Sequence, residues 1–534
     1  MKKKTIKIVI LTLLIISVID LPITAALVGQ YSLGIKTNEN STSNKIEKLQ
    51  LSAANTWPLN GRAISTEKND QWYPQICSDG AGGAIITWED ERNGLHGDIY
   101  AQSVNSTGDV QWTVDGVAIC TENDTQGAPQ ISDDGAGGAI ITWNDYRSGL
   151  NYDIYAQKIN SAGNTIWNVN GTEISIADDD QVIPQISSDQ AGGAIITWND
   201  YRSVSNYDIY VQKIDSTGNV KWIANGTDIC TESGNQIFPQ ICSDGAGGAI
   251  ITWEDSRGLH TDIYAQRIDS TGNVKWTANG VAISTANNTQ WYTQLCSDGA
   301  GGAIITWVDY RSGTNYDIYA QRIDTTGDVK WTVDGVAIST AVDNQEIPQI
   351  CSDGAGGAII TWKDYSSGSN YDIYAQRIDS TGDVKWAADG VVICMAKDNQ
   401  VFPQICSDGA GGAIITWDDS RSEWNDIYAQ RIDSAGNVKW MTDGVAICNA
   451  TFSQRHPQII SGEDEDAIIT WLDKRSWVDY DIYAQLIKEL PLNGDGDEGF
   501  PFGILITVVS IVGGVAIVSI IIVFILKKRR KYEQ

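Results

Sequence analysis

The segment Gly-Ala-Ile-Ile-Thr-Trp ends at Trp88 and recurs ending at Trp143, Trp198, Trp253, Trp307, Trp362 and Trp417, with Asp-Ala-Ile-Ile-Thr-Trp closing the series at Trp471. Successive copies are 54 or 55 residues apart. A period this constant is the mark of one supersecondary unit repeated, here eight times. Each unit reads as four strands, A to D. In the first copy, Pro74–Cys77 is strand A, and Ser78–Gly83 is a turn whose glycines supply positive φ. Ala84–Trp88 is strand B, apolar throughout as a strand buried on both faces should be. Asp98–Val104 is strand C, and strand D starts at Val110–Trp112 and runs on through Gly116–Ile119. Such a sheet cannot cover both its faces alone. Stacking the copies around an axis covers them, and closing the ring protects the end units.

The termini predict closure. The repeat region opens at Trp57–Ile64, which matches strand D with no A, B or C before it, and ends at Asp481–Ile487, which matches strand C with no D after it. The expected fold is therefore all-β: a single eight-bladed β-propeller over 56–490, its last blade completed by an N-terminal outer strand, plus one C-terminal transmembrane helix. The composition agrees: 52 Gly, 20 Trp and 21 Tyr against 6 Phe and 3 Met favour short strands and tight turns.

Ile214-Asp-Ser-Thr-Gly-Asn-Val-Lys-Trp222 and its copies resemble two propeller signatures. One is the Asp-box turn of sialidase-type repeats, with Asp and Trp each one residue further from the Gly. The other is the tryptophan-docking repeat of quinoproteins, whose Thr-Gly-x-x-x-Trp is matched by Thr217–Trp222, with one extra residue upstream. The repeat as a whole is similar to that of prokaryotic cell-surface propellers. The resemblance covers 57–487 and implies fold. It implies little about activity, and the adjacent cysteines that quinoproteins would call for do not occur.

The chain ends set the expected location. Lys2–Lys4, the apolar run Ile8–Ile19 and the small residues Thr24, Ala25 and Ala26 read as a signal peptide over 1–26. Segments 27–55 and 491–501 read as linkers, Asn493-Gly-Asp-Gly-Asp497 included, since it lacks the Gly and Glu of a calcium loop. Residues 502–526 carry no charge and are long enough to span a bilayer, and the basic cluster Lys527–Lys531 within the tail 527–534 places that end in the cytoplasm. The propeller is then expected outside the cell. Sequons at Asn40, Asn105, Asn123, Asn170, Asn225, Asn287 and Asn449 suit that location if the host glycosylates. Residues 51–500 hold 25 Lys and Arg against 63 Asp and Glu, a surface that repels nucleic acid.

Nine cysteines fall in two repeat columns where other copies carry Ser, so they read as packed thiols; only Cys230/Cys242 and Cys394/Cys406 stand as local pairs open to bridging. Trp-x-Asp-x-Arg follows strand B at Trp88/Asp90/Arg92, Trp143/Asp145/Arg147 and their copies, with Ser366 replacing Arg in the sixth. An active site needs one carboxylate pair, and this one is repeated. It therefore reads as a brace of Asp–Arg and Asp–backbone bonds at the B–C corner, with Trp88, Trp143, Trp198, Trp253, Trp307, Trp362, Trp417 and Trp471 as wedges between blades. His96, His260 and His456 all fall in loops of one face, and neither a metal nor a cofactor is assigned.

Variation is confined to one end. The A–B and C–D turns are nearly uniform, whereas the B–C and D–A loops, at the opposite end of an antiparallel blade, change from copy to copy. Loops on a rigid scaffold are where function usually sits. Trp72-Tyr73 and Trp291-Tyr292 precede strand A of blades 1 and 5, which oppose each other in the ring; with Phe238, Phe402 and His456 they form the expected ligand-binding set. The leading expectation is a membrane-anchored binding or adhesion module for an extracellular glycan or protein, without catalytic residues. A second reading is an extracellular carbohydrate-active enzyme, hydrolase or lyase, that uses loop carboxylates such as Glu91, Asp418 and Glu423. A third is a passive surface-layer protein. No oligomeric state follows from the sequence.

Overall fold

The computed structural model describes residues 57–94 and 96–488. The expected signal peptide, both linkers, the transmembrane helix, the basic tail and the Asn40 sequon lie outside the described residues. The described residues form 32 strands in eight four-stranded antiparallel sheets. Blade 1 consists of Gln71–Ser78, Ala84–Asp90, Asp98–Val104 and Val117–Cys120, hydrogen-bonded in that order. Blade 8 consists of Gln454–Ser461, Ala467–Asp473 and Asp481–Ile487, and the N-terminal strand Arg62–Ser65 completes it, with Arg62 opposite Ala484 and Ala63 opposite Tyr483.

The core lies between blades. Ile85 and Ile99 of blade 1 pack with Ala139, Ile141 and Trp143 of blade 2, and across the closure Ile468 and Ile482 of blade 8 pack with Ala84, Ile86 and Trp88 of blade 1. Every copy of Trp88 is fully buried. Its indole Nε1 donates to Asp90 Oδ2 at 2.7 Å, and Arg92 grips the same carboxylate through Nε (2.8 Å) and Nη2 (2.6 Å) while donating to the Asp115 carbonyl at 2.7 Å. The guanidinium also lies 3.7 Å over the Tyr100 ring. This is the corner brace expected from the repeated motif, and it locks strands B, C and D at one end of the blade. Gly116, at φ +94°, is required there, because a Cβ would stand 2.6 Å from the Trp88 ring.

The copy at Asp145 shows that the brace also reaches the preceding blade. Asp145 is fully buried, and it accepts the Trp143 indole at 2.7 Å and Arg147 Nε at 2.8 Å, as expected. Its Oδ2 also takes the thiol of Cys120, the last residue of blade 1, at 3.8 Å, and Arg147 Nη2 donates to that same sulfur at 3.2 Å. The physical reason is the packing of blades: strand D of one blade lies against the next, so its terminal side chain meets the neighbour's Asp and Arg. Arg257, Arg421 and Arg475 reach back to Cys230, Cys394 and Cys448 in the same way. The strand-D cysteines are thus members of the brace as well as packed thiols. All nine cysteines are free, Cys230/Cys242 and Cys394/Cys406 included.

Strands A and D differ from the sequence expectation. Strand D is only Val117–Cys120; Val110 makes a single bridge to Val104, and the residues between turn away. The cause is Gln102, whose Nε2 donates to the Thr113 carbonyl and whose Oε1 accepts the Trp112 amide, so a side chain takes the place of ladder bonds. Trp112 is thereby freed to lie on Gly163 in the next blade's C–D turn, with Nε1 donating to the Ser161 carbonyl at 3.1 Å. Strand A is longer than expected and bulged. Of the sequons, Asn123, Asn287 and Asn449 are at least partly exposed, while the side chains of Asn105, Asn170 and Asn225 are engaged in loop hydrogen bonds.

Candidate active site

The strand-A bulge shapes the variable face. In blade 1, Trp72 pairs with Glu89, and pairing resumes only at Gln75 with Thr87. The next residue after Trp72 is forced into the left-handed region: Tyr73 has φ 52°, and its counterparts Ala128, Ile183, Phe238, Tyr292, Ile347, Phe402 and His456 lie between 50° and 58°. Tyr73 (60% exposed), Tyr292 (49%), Phe238 and Phe402 therefore face solvent. So does His456, which meets Phe402 at 4.9 Å between rings. The bulge turns the preceding residue inward. Trp72 packs 4.9 Å from Tyr480 and Trp291 5.2 Å from Tyr316, both as partly buried wedges at blade seams. Of the two expected Trp-Tyr platforms, only the tyrosines are presented.

The amide of each bulge residue needs an acceptor, and the residue between Trp and Asp on the preceding blade's strand B supplies it in five of the eight seams. Asn144 Oδ1 accepts from Ile183 at 3.0 Å, Asn199 Oδ1 from Phe238 at 3.1 Å, Glu254 Oε1 from Tyr292 at 2.8 Å and Asp418 Oδ1 from His456 at 2.9 Å. Glu89 Oε2 accepts from Ala128 at 3.3 Å, the longest of the five. Sequence reasoning treated this position as a spacer inside the motif and singled out only Asp418, as a loop carboxylate; Asp418 is instead a buried residue of strand B. The position is a column of its own: Glu89, Asn144, Asn199, Glu254, Val308, Lys363, Asp418 and Leu472.

Three of these side chains are acids out of their ordinary range. Burial pushes the Glu89 carboxyl up to about 7, against the pull of the Ala128 amide and with a further push from Glu91. Burial takes Glu254 to about 7 against the Tyr292 amide. Asp418, fully buried, is raised well above the carboxylate range; the His456 amide, Arg455 and Asn425 oppose, and its Oδ2 lacks a hydrogen-bond partner. Glu89 differs from the other two in its surroundings. Its carboxylate sits between two glycines, Gly97 and Gly127, where a Cβ on either would come within 2.6 Å of it. It is the only member of the column followed two residues later by a second acid: Glu91 stands where Ser256 and Ser420 follow Glu254 and Asp418. Burial, Asp70 and Asp90 raise Glu91, and the Trp72 side chain opposes them.

Glu91 opens onto a cavity of about 240 Å³ lined by Asn69, Asp70, Glu91, Gly94 and Asp479, at the seam of blades 8 and 1. The seam is pinned from both sides: Asn69 donates its amide to Asp479 Oδ2 at 3.1 Å, and Tyr480 donates to Asp70 Oδ1 at 2.7 Å. Glu423 is an exposed loop residue of blade 7, in a different sector of the ring. His96, His260 and His456 are residues of the variable face in blades 1, 4 and 8, and no group of three or more His, Cys, Asp or Glu among the described residues is arranged to hold a metal.

No protein-family model matches the chain, and no curated protein matches it. Among solved structures it is similar to a PL25 ulvan lyase (TM-score 0.43, 11% identity, covering 74% of this chain and 97% of that one). It is also similar to the Penicillium chrysogenum alpha-L-arabinanase (0.32, 11%, 57% and 93%) and to the GH43 endo-arabinanase of Bacillus licheniformis (0.28, 14%, 50% and 98%). At such identities the likeness shows the propeller architecture and nothing of activity. Against the leading expectation of a binding or adhesion module that is not an enzyme, these structures are named as a polysaccharide lyase and glycan hydrolases, the classes of the second reading.

Proposed function

We propose that this chain is an extracytoplasmic carbohydrate-active enzyme that cleaves glycosidic bonds on the variable face of blade 1, with Glu89, at its seam with blade 2, and Glu91, at its seam with blade 8, as the reacting acids. The observation that carries the reading is Glu89, held near 7 beside a second carboxyl group in a ring whose other seven copies lack the pair. Glycoside cleavage asks for one carboxyl that keeps its proton near neutral pH and another that has lost it. Glu89 is the proton donor to the leaving oxygen. Glu91, raised by burial but more open to solvent than Glu89, is the partner assigned to act as carboxylate, on water or on the sugar itself. The long contact to Ala128 leaves Glu89 less committed to its capping role than Glu254 at 2.8 Å. Tyr73 supplies an exposed ring on the same blade.

The test is built into the ring. On a panel of polysaccharides, Glu89→Gln and Glu91→Gln should each lower kcat by about 10²-fold or more. Glu254→Gln, the same column without a second acid, should leave it within about twofold. A wild-type chain that cleaves nothing on the panel, or a Glu89→Gln variant of full activity, refutes the assignment.

Two further readings belong with this one. The C–D turns support a variant of the Asp-box and tryptophan-docking repeats: Asp215 Oδ1 accepts the Thr217 and Asn219 amides at 3.0 Å, and Trp167 lies against Gly218. The uncharged run 502–526 and the basic cluster after it support a single-pass anchor with the propeller outside the membrane. Protease digestion of the propeller on intact cells checks the latter.

A further inference from the structure

Three aromatic side chains meet on the variable face where blades 7 and 8 join. Trp424 lies 5.4 Å from Phe452, and Phe452 lies 4.5 Å from Trp477, centroid to centroid. Trp424 is 41% exposed and Trp477 is 64% exposed. They come from the B–C loop of blade 7, the D–A loop leading into blade 8 and the B–C loop of blade 8.

The other copies of the repeat show what this cluster displaces. The Trp477 amide donates to the Lys474 carbonyl, the turn bond that Gly94, Gly149, Gly313 and Gly368 make in blades 1, 2, 5 and 6. Those glycines have φ between 67° and 74°, Val204 of blade 3 makes the same bond at φ 61°, and Trp477 has φ 72°. The Phe452 carbonyl accepts from the buried Gln454 amide, as Asn69, Asp124, Asp179, Asn288, Asp343 and Asp398 do in their blades, all at φ near 60°. Two positions whose backbone suits Gly, Asn or Asp thus carry large aromatics, and they are the two whose rings touch. Bulky residues hold the left-handed region only under strain. Nothing in the blade core is gained by it, since Trp477 remains mostly in solvent.

We propose that Trp424, Phe452 and Trp477 form a stacking subsite for a neutral glycan chain, which feeds that chain toward Glu89 and Glu91; the second clause rests on the acid-pair reading. Exposed aromatic faces in a row suit the apolar faces of sugar rings. A chain of contacts links the subsite to the acid pair. Asp479 and Tyr480, two and three residues after Trp477, pin the seam through Asn69 and Asp70, and Tyr480 packs on Trp72, the cross-strand partner of Glu89. Charge selects against an acidic polymer: Glu423 adjoins Trp424, and Asp70, Glu91 and Asp479 line the cavity at the 8–1 seam, on a chain with 37 Lys and Arg against 67 Asp and Glu. Of the cations nearby, Lys474 lies over the Tyr480 ring at 4.6 Å and Arg455 lies beside Asp418.

The test restores the ring's own alternatives. The full chain in detergent is run by affinity electrophoresis against arabinan, galactan and mannan as neutral polymers, and alginate and heparin as anionic ones. At least one neutral polymer should retard the wild type. The double variant Trp477→Gly, Phe452→Asn should bind it at least tenfold more weakly, with a thermal midpoint equal or higher because the strain is gone. Undiminished binding by the double variant, a lowered midpoint, retardation by anionic polymers alone, or no retardation by any neutral polymer overturns the proposal. Glu89→Gln separates the two readings: its retardation should stay within about twofold of wild type while its cleavage falls by about 10²-fold or more. If it cleaves normally while the double variant loses binding, the acid pair falls and the subsite stands.

Discussion

The two ends of the ring hold their carboxylates in opposite states. At the uniform end, Asp215 and its copies Asp269, Asp324 and Asp379 accept backbone amides and a nearby lysine, which together outweigh desolvation and hold them below the ordinary range. The A–B turn aspartates of blades 2 to 7, at the same end, are ion-paired within their blade, as Asp244 is with Arg267 at 2.9 Å and Asp353 with Arg377 at 2.8 Å. At the variable end, the aspartate that opens strand C stands directly opposite the brace aspartate, Asp98 across from Asp90 and Asp153 across from Asp145. Burial raises Asp98, Asp153, Asp208, Asp262, Asp317, Asp372 and Asp426 to about 6 and Asp481 to about 7. One end uses ionised carboxylates to fix turn geometry. At the other, Arg92 and its copies are committed to Asp90 and its copies and offset burial of the second acid only in part, and in blade 6 Ser366 stands in place of the Arg, so that acid stays partly protonated. An end built that way is suited to hold an acid such as Glu89 near neutrality.

The largest expected effect of that difference is on pH. The strand-C aspartates bind their protons more tightly in the folded chain than in the unfolded one, so their contribution favours folding at low pH and is lost as pH rises through 6 to 7. The lowered aspartates of the uniform end act in the other direction, and their contribution is lost only as pH falls below about 4. Chemical denaturation across pH 4 to 8 should find greatest stability near pH 4 to 5, with a decline on the order of several kcal/mol by pH 8, summed over the ring. A profile that is flat or rises toward pH 8 breaks the comparison.

Next in size is the brace. Asp255→Ala strands the Trp253 indole and the Arg257 guanidinium, which donate to that carboxylate at 2.8 and 2.6 Å. It should cost about 3–5 kcal/mol in urea unfolding, the range for breaking a buried pair. The smallest effect belongs to the exposed turn: Asp215→Ala should cost only ~1 kcal/mol, as the loss of a capping carboxylate does. If the turn variant is the more damaging of the two, the uniform end holds the ring together and the ranking is reversed.

The ring was legible in the sequence because eight copies average out local ambiguity. Strand identity, blade count and the split last blade all follow from columns of like residues. What the copies obscured was the difference within a column. Glu89 lay inside a motif that repetition marks as structural, and only reading Glu, Asn, Asn, Glu, Val, Lys, Asp, Leu down the ring separates it from its neighbours. Asp145 was legible as a brace and not as a contact across the seam, because its bond to Cys120 joins two blades whose spacing no single repeat specifies. Trp477 and Phe452 stood at loop positions whose requirement for positive φ becomes visible once backbone angles are known. Trp72 and Trp291 were legible as unusual and not as buried, because the bulge that turns them inward depends on a register break that no single strand reveals.

The strand that closes the ring is among the first parts of the fold to be synthesised, and its partner is the last. Arg62 waits for Ala484, about 420 residues later. At about 5–20 residues per second that is roughly 20–80 s during which Arg62–Ser65 is an unpaired strand and each newly made blade presents one open edge. A chain truncated before Asp481 never reaches the end of that interval. It would leave blade 8 without two of its four strands and hand both open edges to whatever sheet passes by, so quality control for this protein is concentrated in its final blade.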